Sequence, residues 1–303
     1  MRNNELNLFF ALSKKAGIAC HPRLPPAGRE DGFCLLLPPL APGHAAWRGE
    51  PGHWTRVNGH PALGAGARPR CQSVFPRGWC LPSISLFFSA ALYAVKVRAE
   101  AMQKASEAVP SGMLSVVGRR EANYKFACLE ARKHCQALGI EDPVCEISNY
   151  LFPDGRVIAG HLQALEFLQE NARKYYFTRT QMLPVSGAFH TRLMEPATEP
   201  LAEVLKSVEI QKPLVCVYSN VDGKKYMHSK HIQKQLVKQV VSPVMWEQTM
   251  HSVYEREKGI EFPYTYEVGP GKQLGAVLKK CNLKAWKQYN HVDALEDEEE
   301  AEA

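Results

Sequence analysis

The sequence lacks a long apolar run. No stretch reaches the roughly 18 residues that a membrane-spanning helix needs, so no membrane span is expected. The densest short run, Leu35-Leu36-Leu37, stops at Pro38-Pro39 and is too short for a signal-peptide core. A cysteine frame is also lacking. The nine cysteines are scattered and none forms a C-x-x-C pair. Reduced thiols in a reducing compartment fit that pattern better than a disulfide scaffold or a zinc site. No metal site and no cofactor are expected. Net charge is lacking over most of the chain. The formal charge is +6 over 303 residues. Residues 1–85 hold ten Lys+Arg against four Asp+Glu, whereas residues 86–303 hold 27 of each. The excess is N-terminal, unclustered and not interleaved with aromatics, so no nucleic-acid partner is expected.

What is present divides at about Ser85. Residues 1–85 contain 11 of the 21 prolines, 10 of the 21 glycines and three of the five tryptophans. They show neither a helical nor a strand period, and such a segment cannot bury enough apolar surface to offset its ordering entropy. It is expected to be mostly disordered. Its opening MRNNELNLFFALSKKAG has a weak transit-like character. Beyond Ser85 the texture is that of a folded α/β domain. SAALYAVKVRAEAMQKASEAV has helical spacing and is stopped by Pro110-Ser111-Gly112. The strand MLSVVG, the helix NYKFACLEARKHCQALG and the strand VCEISNYLF follow. A Pro-Asp-Gly turn, the strand RVIAGH, the helix LQALEFLQENA and the strand TRTQMLPVS complete this part. The order β-α-β-β-α-β over 112–186 is the split βαβ, ferredoxin-like pattern.

Residues 187–294 alternate again. A helix at about 193–208 precedes the strand-like LVCVYSNV. Helices follow at about 231–240 and 243–257. YTYEVGP reads as a strand, GKQLGAVLKKCN as a helix, and KAWKQYNHVDA as a last strand. Alternation of this kind implies a mostly parallel sheet. VGPGK at 268–272 lacks the GxxxxGK[ST] spacing of a phosphate loop and reads as a strand-to-helix turn. The acidic tail 295–303, within DALEDEEEAEA, has no core to join and reads as solvated.

The motifs LYAVKVRAEAMQ, PVSGAFHTRLMEPA, YSNVDG, VSPVMWEQTM and YEVGPGKQLGAVLKK, in this order, resemble the malonyl-CoA:acyl carrier protein transacylases, above all the animal mitochondrial form. The resemblance covers about residues 89–294. It implies an α/β-hydrolase-like acyltransferase subdomain, 86–111 and 187–294, incomplete at its N-terminus, with the ferredoxin-like subdomain 112–186 inserted. It also implies an acyltransferase of fatty acid synthesis. Malonyl would pass from malonyl-CoA to the phosphopantetheine thiol of acyl carrier protein through a seryl ester, by ping-pong transfer in the mitochondrial matrix, in a monomer. The alternative is a non-catalytic binder of acyl-CoA or acyl carrier protein.

His190 matches the family's catalytic base. Its own setting agrees: a histidine in a loop at a strand end, with Gly187 letting backbone approach closely. Arg98, in VKVRAEAMQ, matches the arginine that binds the malonyl carboxylate. A planar guanidinium clamps a carboxylate bidentately, and acetyl-CoA offers it no partner. Many relatives carry a polar residue where Met245 stands. Methionine is tolerated there if a main-chain carbonyl supports His190, and the support is lost if a side chain is required. Asn149 and Asn220 end strand-like runs and read as turn-forming residues.

No nucleophile is identifiable. No G-x-S-x-G occurs in the sequence, nor does the family's N-terminal Gly-Gln-Gly segment. The family's serine-to-arginine spacing, counted back from Arg98, lands on Ser73 in RCQSVFPRGWC. No glycine flanks it there, so no sharp nucleophile elbow is formed. Codons for Cys71–Pro82 permit, in a shifted frame, S-V-G-V-P-A-G-L-V-F-A, which resembles the family's elbow and following helix.

Overall fold

A computed structural model describes residues 34–36, 81–213, 215–269 and 271–292, with side chains from Ser89 onward. The expectation for the N-terminal segment therefore lies almost wholly outside the described residues, as does Ser73. Two short parts of it are described. Cys34–Leu36 is a strand, β1, in a stretch where no apolar period marks one. The first helix, α1, starts at Leu81 and runs to Ala108, longer at its N-terminus than the sequence suggests.

The region after α1 folds in the expected order: β2 (Ser111–Gly118), α2 (Tyr124–Ala137), β3 (Cys145–Phe152), β4 (Gly155–His161), α3 (Leu162–Glu170), a 3-10 turn and β5 (Phe177–Met182). Asn123 caps α2 by accepting the Phe126 N–H at 3.0 Å. The strands lie in the order β5-β2-β4-β3, and every neighbouring pair is antiparallel. Period-two alternation divides the sheet between two cores. Leu114, Val116, Cys145 and Ile158 face α2 and α3, where they meet Ala127, Ala131, Leu165 and Leu168. Met113, Val157 and Ala159 face the other way and pack on Ala188, with Val185 and Phe189 beside it. The second face therefore carries the loop that bears His190. Gly160 is fixed by close approach, since a Cβ there would lie 2.0 Å from the Val144 carbonyl oxygen.

A 3-10 turn (Arg192–Ala197), α4 (Thr198–Ser207) and α5 (Ser229–Lys238) come next. Where a helix from Pro243 is expected, Val244–Met245 first forms β6, parallel to β3. The helix α6 then occupies Trp246–Tyr254. Residues 215–221 of LVCVYSNV enter no sheet among the described residues. They make only an isolated antiparallel bridge, Tyr218 to Lys225, and Val215 is 57% exposed. A strand needs a neighbour to satisfy its backbone, and among the described residues this run has none beyond that bridge. The chain ends in β7 (Thr265–Val268), α7 (Gln273–Cys281), the short helix α8 (Leu283–Trp286) and β8 (Tyr289–Val292). Here β1, β7 and β8 form a small parallel sheet with β7 in the centre. No described helix is long and apolar enough to cross a membrane.

Candidate active site

One apolar cluster positions the candidate residues. Ala94, Met102 and Ala105 of α1 meet Met194 and Ala197 of the 3-10 turn, Leu201 and Leu205 of α4, and Val240. Arg98 lies on that same face of α1, one turn from Ala94 and from Met102, and is only 9% exposed. His190 stands just before the 3-10 turn, and Gln239 just before Val240. The packing that forms this core thus sets α1, the His190 loop and the end of α5 against one another.

The His190 loop is tied at several points. Ser111 Oγ accepts the Ala188 N–H at 3.2 Å, and Thr191 Oγ1 donates to the Ala188 carbonyl at 2.7 Å. Thr191 Oγ1 also accepts the Leu193 N–H at 3.3 Å, which caps the 3-10 turn. Gly187 is pressed on α1, since a Cβ there would lie 2.4 Å from Ser106 Oγ. Between these ties His190 adopts φ 63°, a left-handed conformation uncommon outside glycine. Surroundings that over-determine a strained backbone are typical of functional positions.

His190 is 4% exposed. Its Nδ1 donates to the Gln239 carbonyl at 2.9 Å. That bond fixes the tautomer and leaves the Nε2 lone pair as the proton acceptor. Burial holds its pKa down at about 4, and the positive Arg98 acts in the same direction. The Gln239 and Ser242 backbone groups oppose the shift. The imidazole is therefore neutral at physiological pH. Arg98 and His190 are close enough to interact electrostatically, so the two residues singled out in the sequence are brought together.

The support for His190 is a main-chain carbonyl, the arrangement under which methionine at 245 is tolerated. Met245 acts through its backbone as well. Its N–H donates to the Asn220 carbonyl at 2.7 Å, and its carbonyl accepts Thr249 Oγ1 at 2.9 Å. Asn149 is buried and accepts Ser148 Oγ at 2.8 Å. It sits opposite Val244 in the β3–β6 pairing. Asn149, Asn220 and Met245 thus meet at one strand junction and hold loops there. Gln239 is the functional group that sequence reading missed, because a backbone carbonyl leaves no mark in residue type.

The turn after β7 is not a phosphate cradle. The Leu274 and Gly275 N–H groups at the start of α7 are taken at 2.9 and 2.8 Å by the buried Glu267 carboxylate, which also accepts from the Tyr289 hydroxyl. Two cavities, of about 270 and 460 Å³, lie elsewhere, one beside Cys281 and one beside Arg192. Neither has His190 or Arg98 in its lining. No group of three metal-ligating side chains occurs among the described residues.

No family model matches the chain. Individual relatives do. Over 210 residues it is 69% identical to the mitochondrial malonyl-CoA-acyl carrier protein transacylase of Mus musculus, covering 69% of this chain and 55% of that protein. A solved malonyl CoA-acyl carrier protein transacylase of Clostridium perfringens superposes with a TM-score of 0.58 at 29% identity, covering 69% of this chain and 61% of that one. A malonyl-transacylase solved in complex with a type II PKS acyl-carrier protein gives a TM-score of 0.57 at 27% identity, covering 68% and 62%. The resemblance read from the motifs is thus shown. The chain spans about half the length of the curated relatives it matches.

Proposed function

We propose that this chain belongs to the malonyl-CoA:acyl carrier protein transacylases and carries the base and carboxylate-anchor half of their site. The observation that supports this best is the His190–Gln239 bond, which leaves Nε2 free to take a proton beside a buried arginine. In the reaction, a hydroxyl attacks the malonyl thioester carbonyl and His190 Nε2 accepts its proton. The thiolate of coenzyme A leaves and is protonated. The phosphopantetheine thiol of acyl carrier protein then gives its proton to His190 and takes the malonyl group from the ester. Arg98 pairs with the malonate carboxylate and holds the acyl group in register.

The domain reading is part of the proposal. The order β5-β2-β4-β3 with α2 and α3 on one face supports a ferredoxin-like subdomain, 112–186, inserted into an α/β-hydrolase-like subdomain. The relatives' names support a mitochondrial location, and we place the chain in fatty acid synthesis, in the matrix and as a monomer. They name transferases, which disfavours a binding module without catalysis.

The chain has no G-x-S-x-G, so transfer by the chain as it stands is expected to be slow. Loss of the serine from a hydroxyl–histidine pair costs on the order of 10⁶ in kcat. The half-site is therefore tested by binding. Calorimetry should show malonyl-CoA preferred over acetyl-CoA by about tenfold or more, and Arg98→Ala should remove the preference. Equal affinities, unchanged by the substitution, would take Arg98 out of the site.

A further inference from the structure

Between Asp222 and Glu247 the sequence holds five lysines, Lys224, Lys225, Lys230, Lys234 and Lys238, and no acidic residue. All five side chains are exposed, and none makes an ion pair among the described residues. Three of them form a single stripe on α5. Lys230, Lys234 and Lys238 recur every fourth residue over about 12 Å. Ile232 and Leu236 lie on the opposite side of the helix, packed into the core that holds α1 and α4. The stripe works against its own helix. Like charges four residues apart repel, and Lys230 stands in the first turn, where the helix dipole disfavours a cation. No acid on α5 offsets either cost. Local choices that oppose the element they sit in point to a use outside it.

We propose that this face of α5, with the Lys224–Lys225 turn before it, lies against an anionic lipid surface. Three observations favour a lipid surface over a protein partner. The cations are all lysine, and no arginine occurs between Arg192 and Arg256. Protein interfaces are enriched in arginine and depleted in lysine, whereas attraction to a charged bilayer needs only point charges. An apolar tip stands among the lysines. Met227, between Lys225 and Lys230, is 63% exposed, more than any other large apolar side chain described. A flexible thioether at that place can enter the headgroup layer while the lysines meet the phosphates. The third observation is the side from which α5 meets the base. Gln239, next after α5, holds His190 by Nδ1. A carrier protein bound on α5 would approach from that side of the ring, away from the nitrogen that takes the thiol proton. A bilayer there leaves Nε2 open.

Flotation of the full chain with phosphatidylcholine vesicles containing about 30 mol% phosphatidylglycerol tests this. The chain should float with these vesicles at low salt, stay behind with pure phosphatidylcholine, and be released at about 0.5 M salt. Lys230→Gln, Lys234→Gln and Lys238→Gln should each raise the lipid concentration for half-binding about fivefold, and the triple variant about 100-fold. The same three positions changed to arginine should retain binding. Met227→Ser should weaken it about threefold and leave the salt dependence unchanged. Binding that survives the triple glutamine substitution would overturn the proposal, since the charge responsible would then lie elsewhere in the chain. So would equal binding to neutral vesicles. Capture of acyl carrier protein, lost in the triple variant and unaccompanied by vesicle binding, would assign the stripe to a protein partner instead.

Discussion

At the scale of the residue, His190 couples burial to protonation. Its folded pKa of about 4 lies below the ordinary histidine value of about 6.5. Between those values the unfolded chain binds a proton that the folded chain refuses. Stability therefore falls as pH drops from about 6.5 to about 4, by on the order of 3 kcal/mol in total, and is fully retained above. Urea midpoints at pH 7, 5.5 and 4 should show this loss, and His190→Asn should lack that part of it. An identical pH slope in both chains would sink the assignment. Met245→Gln should leave the His190 contribution unchanged, because Nδ1 is held by the Gln239 carbonyl. The motif around His190 and the helical position of Arg98 were legible in the sequence, and the structure places both in one buried region. Gln239 was not legible, because its side chain plays no part in the bond.

At the scale of the element, Glu267 staples three pieces of the small parallel sheet. Its carboxylate accepts two N–H groups from the first turn of α7 and the Tyr289 hydroxyl from β8, at 4% exposure. A helix N-terminus favours a negative charge, and three donors compensate its burial. Glu267→Ala leaves those donors buried without an acceptor and should cost roughly 2–4 kcal/mol. Glu267→Gln restores one acceptor oxygen and should cost less. Chemical denaturation ranks the two, and equal losses would show that the carboxylate acts only by filling space. The elements themselves were legible where periodicity is long, as in α1 and the β2–β5 region. Short pieces were not. β6 has two residues, and its sequence Val244-Met245 runs into a helix without a break. β1 has three residues, and only the edge of β7 defines it as a strand.

At the scale of the whole molecule, order should follow the density of long-range packing. The β2–β5 sheet is covered on one face by α2 and α3 and on the other by the His190 loop, with strands of six to eight residues. The parallel sheet is much smaller, with strands of three and four residues. Parallel strands normally lie buried between helices on both faces. Here Val215, Tyr264 and Val292, from the strand-like run and the flanks of this sheet, are 57, 60 and 44% exposed. The apolar run LVCVYSNV implies a strand, but a strand is a relation between two segments, and the sequence of one segment cannot supply the other. The chain also spans about half the length of its curated relatives. Hydrogen exchange on the chain as it stands should therefore be slowest in β2, β3 and β4. It should be faster by an order of magnitude or more in β7 and β8, because an amide exchanges through the cheapest opening that exposes it. It should be fastest in 215–221, where few backbone bonds form among the described residues. Protection across 215–221 equal to that of β2–β4 would show that this run is held as firmly as a paired strand.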